Sequence, residues 1–218
     1  MIKIGALDVW GFEHAIRGCR NALESWEKID SFVCPKNAIC ESCDKDFPRC
    51  GGLYLGENDL TLMRRLYKAG TEQRKYLRQI FVSMDITAPL YFWKEADTYK
   101  VGTTTNSCST MHCIHKKEFS LDDFSHEHLT TKNLDTYMLP LIKGLNEARD
   151  AYLDSKEKND WWQMIQMLPS SYNQMRTWTM NYENVVSIIH QRFNHKLDEW
   201  RQFTKFLGGL PYVKEIMS

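Results

Sequence analysis

Hydrophobic residues in the first third of the chain recur at two different spacings. Apolar or small residues at every second position of residues 2–6 predict a first strand. Between residues 12 and 26 the apolar positions recur at steps of three and four, which predicts an amphipathic helix. A second helix of this kind is predicted to begin at Asn58, a favourable N-cap residue, and to end at Gly70.

The pattern after Gly70 predicts more helices and two more strands. Helices are predicted over residues 71–79, 134–156, 161–167 and 184–206, and strands over residues 80–86 and 172–179. Another helix is predicted to open at Pro89, because a residue in the first turn needs no partner for a backbone N–H. Strands interspersed with helices, the longest of them late in the chain, favour an α+β fold over a doubly wound sheet.

Length and composition bound the domain organisation. The 218 residues are predicted to form a single domain over residues 1–218, and 43% apolar residues are enough to build its core. Periodicity is lost at about residues 31–55, where four of the seven cysteines lie. This segment is therefore predicted to be a cysteine-rich insertion.

The charge balance excludes some classes of partner. Lys and Arg together number 28, as do Asp and Glu, so the sequence argues against general binding of nucleic acid or a membrane surface. No apolar run approaches the roughly 20 residues that span a bilayer. The N-terminus lacks the pattern of a signal peptide. An odd number of cysteines in such a chain is typical of reduced thiols and a cytoplasmic location.

Residues 103–110 form a dense run of hydroxyl side chains. Every residue of this run is Ser or Thr except Asn106 and Cys108, and the run follows the helix predicted to open at Pro89. Side chains of this kind suit binding of a phosphate or a sugar better than filling a core. The alternative interpretation is a polar edge strand or a capped turn.

The segment ITAPLYFWKEADTYKVGTTTNSCSTM, residues 86–111, resembles the signature region of flavin-dependent thymidylate synthases, the ThyX family. In that family an Ala-Pro strand end and a helix lead into an Arg-His-Arg triplet and a Ser/Asn/Ser/Arg loop that holds FAD and dUMP. Counted without gaps, Glu95 lies at a nucleotide-contacting glutamine, and residues 98–100 lie at the triplet. Only Lys100 keeps a positive charge there, so the chain resembles a divergent member that lacks the triplet.

Two alignments of the hydroxyl run remain open. Without a gap, Thr103, Thr105 and Cys108 lie at the Ser, Asn and second Ser of the family loop. Shifted by one residue, Asn106 lies at the Asn and Ser109 at the second Ser. From the shifted alignment, the resemblance implies that Asn106 and Ser109 are candidates for binding substrate. From the ungapped alignment, it implies that Lys100 and Thr103 are candidates for binding the cofactor.

A second block, MLPSSYNQMRTWTMNYENVVSIIHQR, resembles the family's Leu-Pro turn and the helix that follows it. The resemblance implies that Asn181 and Ser187 contact the flavin. It implies that Arg192 binds the substrate and acts in catalysis, by contacting and polarising the uracil. Glu183 stands where the family has an arginine.

The resemblance implies a fold, an activity and a set of partners. The fold would be ThyX-like, with a central, mostly antiparallel sheet flanked by long helices. The activity would be methylation of dUMP to dTMP with methylenetetrahydrofolate, FAD and NADPH, in a homotetramer. The alternatives are an inactive homologue that binds nucleotide or flavin, and a zinc-stabilised interaction protein.

The cysteines of the insertion form a separate candidate metal site. Cys34, Cys40, Cys43 and Cys50 lie within 17 residues and include one CxxC pair. Four thiolates can close a tetrahedral zinc site and thereby order a loop that has no core. An iron–sulfur cluster and unligated thiols are the alternatives. A weaker metal pattern is the run Cys108, His112, Cys113 and His115.

Overall fold

A four-stranded sheet is the central element of this computed structural model, which describes residues 2–33 and 53–218. The described strands are β1 (Lys3–Trp10), β2 (Phe32–Val33), β3 (Leu53–Tyr54), β4 (Phe81–Pro89), β5 (Thr103–Ser107) and β6 (Asn173–Asn181). The sheet has the order β1-β4-β6-β5, so β1 and β5 are its edge strands. The short strands β2 and β3 pair antiparallel, with Phe32 opposite Tyr54.

Helices make up most of the remaining described residues. The α-helices are α1 (Phe12–Asn21), α2 (Glu57–Lys68), α3 (Leu90–Ala96), α4 (Thr110–Cys113), α5 (Thr131–Asn133), α6 (Leu139–Ser155), α7 (Lys158–Met167), α8 (Tyr182–Arg192), α9 (Asp198–Leu207) and α10 (Val213–Met217). Short 3-10 turns cover Trp26–Lys28, Lys75–Gln79, Ile114–Lys116 and Leu121–Asp123, and a π-helical turn covers Leu134–Met138. None of the described helices is both long and apolar enough to cross a bilayer. The prediction of an α+β fold with an antiparallel sheet is confirmed.

The described residues divide into two compact units that alternate along the chain. Unit 1 contains the described residues of Met1–Ile4, Asp85–Thr98 and Thr105–Thr177. Unit 2 contains those of Gly5–Met84, Tyr99–Thr104 and Trp178–Ser218. The single domain with an insertion at about residues 31–55 stays a prediction.

Each unit has its own apolar core. In unit 1 the buried core residues come from the segments between α4 and α7: Ile114, Phe119, Phe124, Met138, Ile142, Leu145 and Met164. In unit 2, α1 packs on α2 and α8 packs on α9. The Trp178 and Phe203 rings stack there at 5.7 Å. The apolar stripes of these helices therefore face cores, as their three- and four-residue spacing requires.

Two predicted helix boundaries are wrong for local reasons. The helix predicted over residues 12–26 ends at Asn21, because the chain turns at Glu24, where φ is +44°. Asn58 is not the N-cap of α2, since Gly56 holds that position and Asp30 accepts the N–H groups of Asn58 and Asp59.

The final helix predicted over residues 184–206 is interrupted. Helix α8 ends at Arg192 and α9 begins at Asp198. In the turn between them His195 donates its backbone N–H to the Arg192 carbonyl, and His195 Nδ1 accepts the Leu197 N–H at 3.2 Å.

The run of hydroxyl side chains at residues 103–110 forms strand β5 up to Ser107. This agrees with the alternative interpretation of the run as a polar edge strand.

Candidate functional site

A group of polar residues in unit 2 joins the turn at residues 99–103 to helix α8, and we name it the Tyr99–α8 cluster. Its members are Tyr99, Gly102, Thr103, Asn181, Asn184, Ser187, Gln191 and Arg192. The Tyr99 hydroxyl is at its centre, donating to Gln191 Oε1 at 2.9 Å and accepting from Arg192 Nε at 3.0 Å. Gln191 Nε2 in turn donates to Ser187 Oγ at 2.9 Å.

The local sequence explains why these side chains meet. Asn181 caps α8, because its side-chain oxygen accepts the Asn184 N–H at 3.0 Å. Ser187 and Gln191 are four residues apart and so lie on one face of the helix. Asn184 Nδ2 donates to the Gly102 carbonyl at 3.1 Å. Gly102 has a φ of +74°, and a Cβ there would lie 2.7 Å from Asn181 Nδ2, so this close approach requires glycine.

Aromatic rings hold the guanidinium of Arg192. Its central carbon lies 4.9 Å from the centroid of the Trp200 ring and 5.7 Å from that of the Tyr99 ring. Contacts of this length attract a cation to the ring face. Trp200 is fully buried in α9, whereas Arg192 is half-buried. The rings and the tyrosine hydroxyl therefore orient an arginine that keeps some contact with solvent.

An unsatisfied carboxylate oxygen lies at the start of α8. Glu183 Oε1 accepts from Arg74 Nε at 3.1 Å and from Nη2 at 2.8 Å. Glu183 Oε2 is buried and has no hydrogen-bond partner among the described residues. A buried acceptor without a partner destabilises a protein by about 1–3 kcal/mol. A ligand hydroxyl or N–H that donates to this oxygen would remove that penalty.

Unit 1 contains a cleft of about 440 Å³, which we name the Cys108–Tyr172 cleft. Polar groups that line it include Thr87, Cys108, Ser109, Lys116 and Tyr172. Burial raises the pKa of the Tyr172 hydroxyl, and Asp123, Cys108 and Cys113 raise it further. The phenol is therefore a neutral hydrogen-bond donor at physiological pH. Gln174 Nε2 donates to the Cys108 carbonyl at 2.9 Å and fixes the backbone of this wall.

The candidate residues from the sequence fall into different surroundings. Thr103, Asn181, Ser187 and Arg192 all belong to the Tyr99–α8 cluster. Lys100 lies in the same turn and is exposed, and its side chain makes no hydrogen bond or ion pair with the described residues.

The other three candidates belong to unit 1. Ser109 lines the Cys108–Tyr172 cleft, and its hydroxyl accepts the His112 N–H at 3.3 Å. Asn106 is exposed on β5, and Glu95 is half-buried on α3. Neither of them lines this cleft among the described residues.

The predicted metal sites have different outcomes. Cys34, Cys40, Cys43 and Cys50 lie outside the described residues. Within residues 2–33 and 53–218, no three His, Cys, Asp or Glu side chains gather as metal ligands. The run from Cys108 to His115 therefore does not form a metal site, because the short helix α4 and the 3-10 turn that follows do not bring its side chains together.

Sequence reasoning missed the residues that organise the cluster. Tyr99 was aligned only as a replacement for a family histidine, and Gln191 was not singled out. The spacing of Ser187, Gln191 and Arg192 on one helix was an available signal. The contact with Tyr99, more than 90 residues earlier, has no local signal.

The comparisons with known proteins bear on the fold. No protein-family model and no curated protein matches the chain. Two solved structures of the flavin-dependent thymidylate synthase ThyX from Helicobacter pylori, both with FAD and dUMP, match it with a TM-score of 0.67 and 16% sequence identity. The matches cover 99% and 100% of this chain and 97% of each neighbour. The chain has the ThyX fold. Its arrangement of strands and helices is thus similar to theirs along nearly the whole length.

Proposed function

We propose that this protein is a divergent flavin-dependent thymidylate synthase that methylates a dUMP-like nucleotide with FAD as cofactor. The Tyr99–α8 cluster carries the proposal. It gathers Thr103, Asn181, Ser187 and Arg192, which the sequence resemblance assigns to cofactor or substrate. The fold similarity to synthases that bind FAD and dUMP supports the same assignment.

The residues present fit a flavin nucleotide. Lys100 supplies a positive charge for a diphosphate, and Thr103, Ser187 and Asn181 supply hydroxyl and amide groups. The unsatisfied Glu183 Oε2 suits a ribose or ribityl hydroxyl as donor. Neutral hydrogen bonds are about half as strong as the charge-assisted bonds of the family's arginines, so we expect weaker retention of FAD. When bound, FAD supplies the hydride chemistry of the reaction.

Arg192 is the residue proposed to act on the pyrimidine. Its guanidinium is oriented by the Tyr99 hydroxyl and by the Trp200 ring. A fixed guanidinium that donates to a uracil carbonyl stabilises the negative charge that develops as C5 of the ring becomes nucleophilic. Because the group is already in place, little reorganisation is needed during the reaction.

Further parts of the proposal rest on the sequence resemblance. These are methylenetetrahydrofolate as carbon donor, NADPH as reductant, Glu95, Asn106 and Ser109 as substrate contacts, a homotetramer, and a cytoplasmic location. Zinc on Cys34, Cys40, Cys43 and Cys50 stays a separate prediction, with elemental analysis of the purified protein as its test.

A second candidate function is nucleotide or flavin binding without turnover. The observation that favours it is the Arg74–Glu183 pair, with 2.8 Å between charged atoms. This pair places a carboxylate at the start of α8, where the resemblance has an arginine. Because Arg74 neutralises this carboxylate, the described residues at the start of α8 provide no free positive charge for a phosphate where the resemblance has an arginine, which would weaken binding of the nucleotide cofactors.

Flavin content and dTMP formation test these functions. We expect the purified protein to show the absorption band of oxidised flavin and to form dTMP from dUMP, methylenetetrahydrofolate and NADPH. Arg192→Ala should lower turnover about a hundredfold with flavin content retained. Arg201→Ala is the matched control, because Arg201 pairs with Asp198 on the exposed face of α9 and its loss should leave turnover unchanged.

The alternatives give different results. Binding without turnover predicts bound dUMP or flavin, no dTMP, and an Arg192→Ala variant that binds dUMP more weakly. A colourless protein that binds neither FAD nor dUMP contradicts both functions. Circular dichroism of the Arg192 variant separates lost chemistry from lost folding.

A further inference from the structure

A second basic region of unit 2 lies between α1 and α2. It is a cavity of about 410 Å³, which we name the α1–α2 cavity. Polar groups that line it are Arg20, Ser25, Lys28, Asn58, Thr61 and Arg65. Among the described lining residues, every ionisable side chain is a cation. This is a local excess of positive charge in a chain whose net charge is zero.

Arg20 forms part of the cavity wall, and hydrogen bonds fix its position. Its Nε and Nη2 donate to Asp59 Oδ1 at 2.9 and 2.7 Å, and Nη2 also donates to the Lys28 carbonyl at 3.2 Å. The other oxygen, Asp59 Oδ2, accepts from the Ser31 hydroxyl at 2.7 Å and from two backbone N–H groups. Asp59 therefore neutralises the charge of Arg20, and both of its carboxylate oxygens already accept hydrogen bonds within this network.

Lys28 and Arg65 supply the remaining charge. Both side chains are exposed and line the cavity, and neither makes an ion pair or side-chain hydrogen bond with the described residues. Asp30 already accepts the first N–H groups of α2, at 2.9 and 3.1 Å. The attraction for an anion thus comes from side chains and not from the end of the helix.

Ser25 provides independent evidence for ligand binding in the α1–α2 cavity. The residue is 7% exposed and lines the cavity, and its buried Oγ has no hydrogen-bond partner within the part of the chain that the structure describes. Buried hydroxyls in native proteins are nearly always paired. Asn58 and Thr61 add further polar groups, although the Thr61 hydroxyl has a weak partner in Glu57 at 3.3 Å.

We propose that the α1–α2 cavity binds the phosphate group of a small phosphomonoester. Lys28 and Arg65 neutralise the phosphate, and Ser25 and Asn58 donate hydrogen bonds to its oxygens. The volume lies in the range of small-molecule sites, roughly 300–1,000 Å³, and exceeds the needs of a bare ion. Leu23 and Leu62 give the organic part of the ligand an apolar wall.

Calorimetric titration of the full protein with phenyl phosphate tests this site. We expect phenyl phosphate to bind more tightly than inorganic phosphate, phenol not to bind, and affinity to fall with added salt. The double variant Lys28→Gln/Arg65→Gln should weaken binding by about tenfold or more, since it removes both exposed cations that neutralise the phosphate. Lys68→Gln should not change it, because Lys68 is exposed on the same helix but does not line the cavity.

Ser25→Ala separates binding from folding. It should weaken binding of phenyl phosphate several-fold, while the unfolding midpoint without phosphate stays the same or rises, since an unsatisfied hydroxyl is removed. The proposal is overturned if wild-type protein binds neither phosphate, or if the double variant binds as tightly as Lys68→Gln. Binding of phenyl phosphate that is lost in Arg192→Ala but kept in Lys28→Gln/Arg65→Gln also overturns it, because the anion then occupies the nucleotide site. The assay needs no flavin and no turnover, so loss of the proposed enzyme function leaves its result unaffected.

Discussion

Two arginines of unit 2 are held in place by different kinds of contact. Arg20 is 5% exposed and donates two hydrogen bonds to the buried carboxylate of Asp59. Arg192 is half-buried and rests against the Tyr99 and Trp200 rings, with Nε bound to a hydroxyl. The first arrangement ties two helices together, and the second orients a cation that solvent still reaches. The degree of burial and the type of hydrogen-bond partner therefore distinguish a structural arginine from one that can bind a ligand.

Replacement of Asp59 by alanine should have the largest effect. It leaves the Arg20 charge buried without its partner, so the free energy of unfolding should fall by about 3–5 kcal/mol. Glu57→Ala is the matched control, because its 3.5 Å pair with Arg64 is exposed and contributes less than about 1 kcal/mol. Urea denaturation measures the free energy of unfolding of both variants. Equal losses in the two variants would contradict a structural role for the Arg20–Asp59 pair.

Gly102→Ala should destabilise the Tyr99–α8 cluster, which contains Arg192. A residue other than glycine at a φ of +74° is strained, and the new Cβ would meet Asn181 Nδ2 at 2.7 Å. We expect a loss of about 1–3 kcal/mol in thermal or urea unfolding. Gly144→Ala in the middle of α6 is the control. No atom of the described residues lies within 4 Å of the added Cβ, so the substitution should stabilise the helix by roughly 0.5–1 kcal/mol.

Tyr99→Phe removes the hydroxyl that orients Arg192. The unfolding free energy should fall by about 1 kcal/mol, and turnover should fall several-fold as the guanidinium loses its position. Tyr67→Phe is the control, because it removes a 2.8 Å hydrogen bond to His190 of α8 without touching Arg192. If the two variants have the same turnover and the same KM for dUMP, Tyr99 is structural only.

Acid should weaken the Arg20 region by a smaller amount. Burial alone would raise the pKa of the Asp59 carboxyl, but hydrogen bonds from Ser31 and Arg20 outweigh it and lower the pKa. Asp59 therefore stabilises the fold fully above the unfolded-state value of about 3.9. That stabilisation is lost as pH falls through the lowered value in the folded protein. Stability measured from pH 6 downwards should fall less in Asp59→Asn than in wild type, and parallel curves would contradict this assignment.

Local patterns predicted the parts of the fold that depend on neighbours along the chain. The strand around residues 80–86 and the helix opening near Pro89 were predictable, because alternating burial and proline geometry act within a few residues. The break after Arg192 was not, since Phe193 and Leu197 continue a helical spacing. There the packing of α8 against α9 decides where the chain turns.

The residues of the candidate site also divide into those that local sequence predicts and those that only the fold brings together. Asn181, Ser187 and Arg192 were singled out from a motif and helical spacing, whereas Tyr99 has its role only through contact with α8. The α1–α2 cavity had no signal at all. Arg20, Lys28 and Arg65 look like ordinary charged residues until the fold brings them to one surface.

By itself, the sequence determined the class of fold, most strands and helices, and a list of side chains with suitable chemistry. Helix caps and apolar spacing act over a few residues, so they can be read directly from the chain. Only the tertiary structure decided which polar groups pair, as Arg20 does with Asp59 across 39 positions, and which remain unsatisfied, as Ser25 and Glu183 do. Burial and hydrogen bonding depend on contacts between distant residues, and these exist only once the chain has folded.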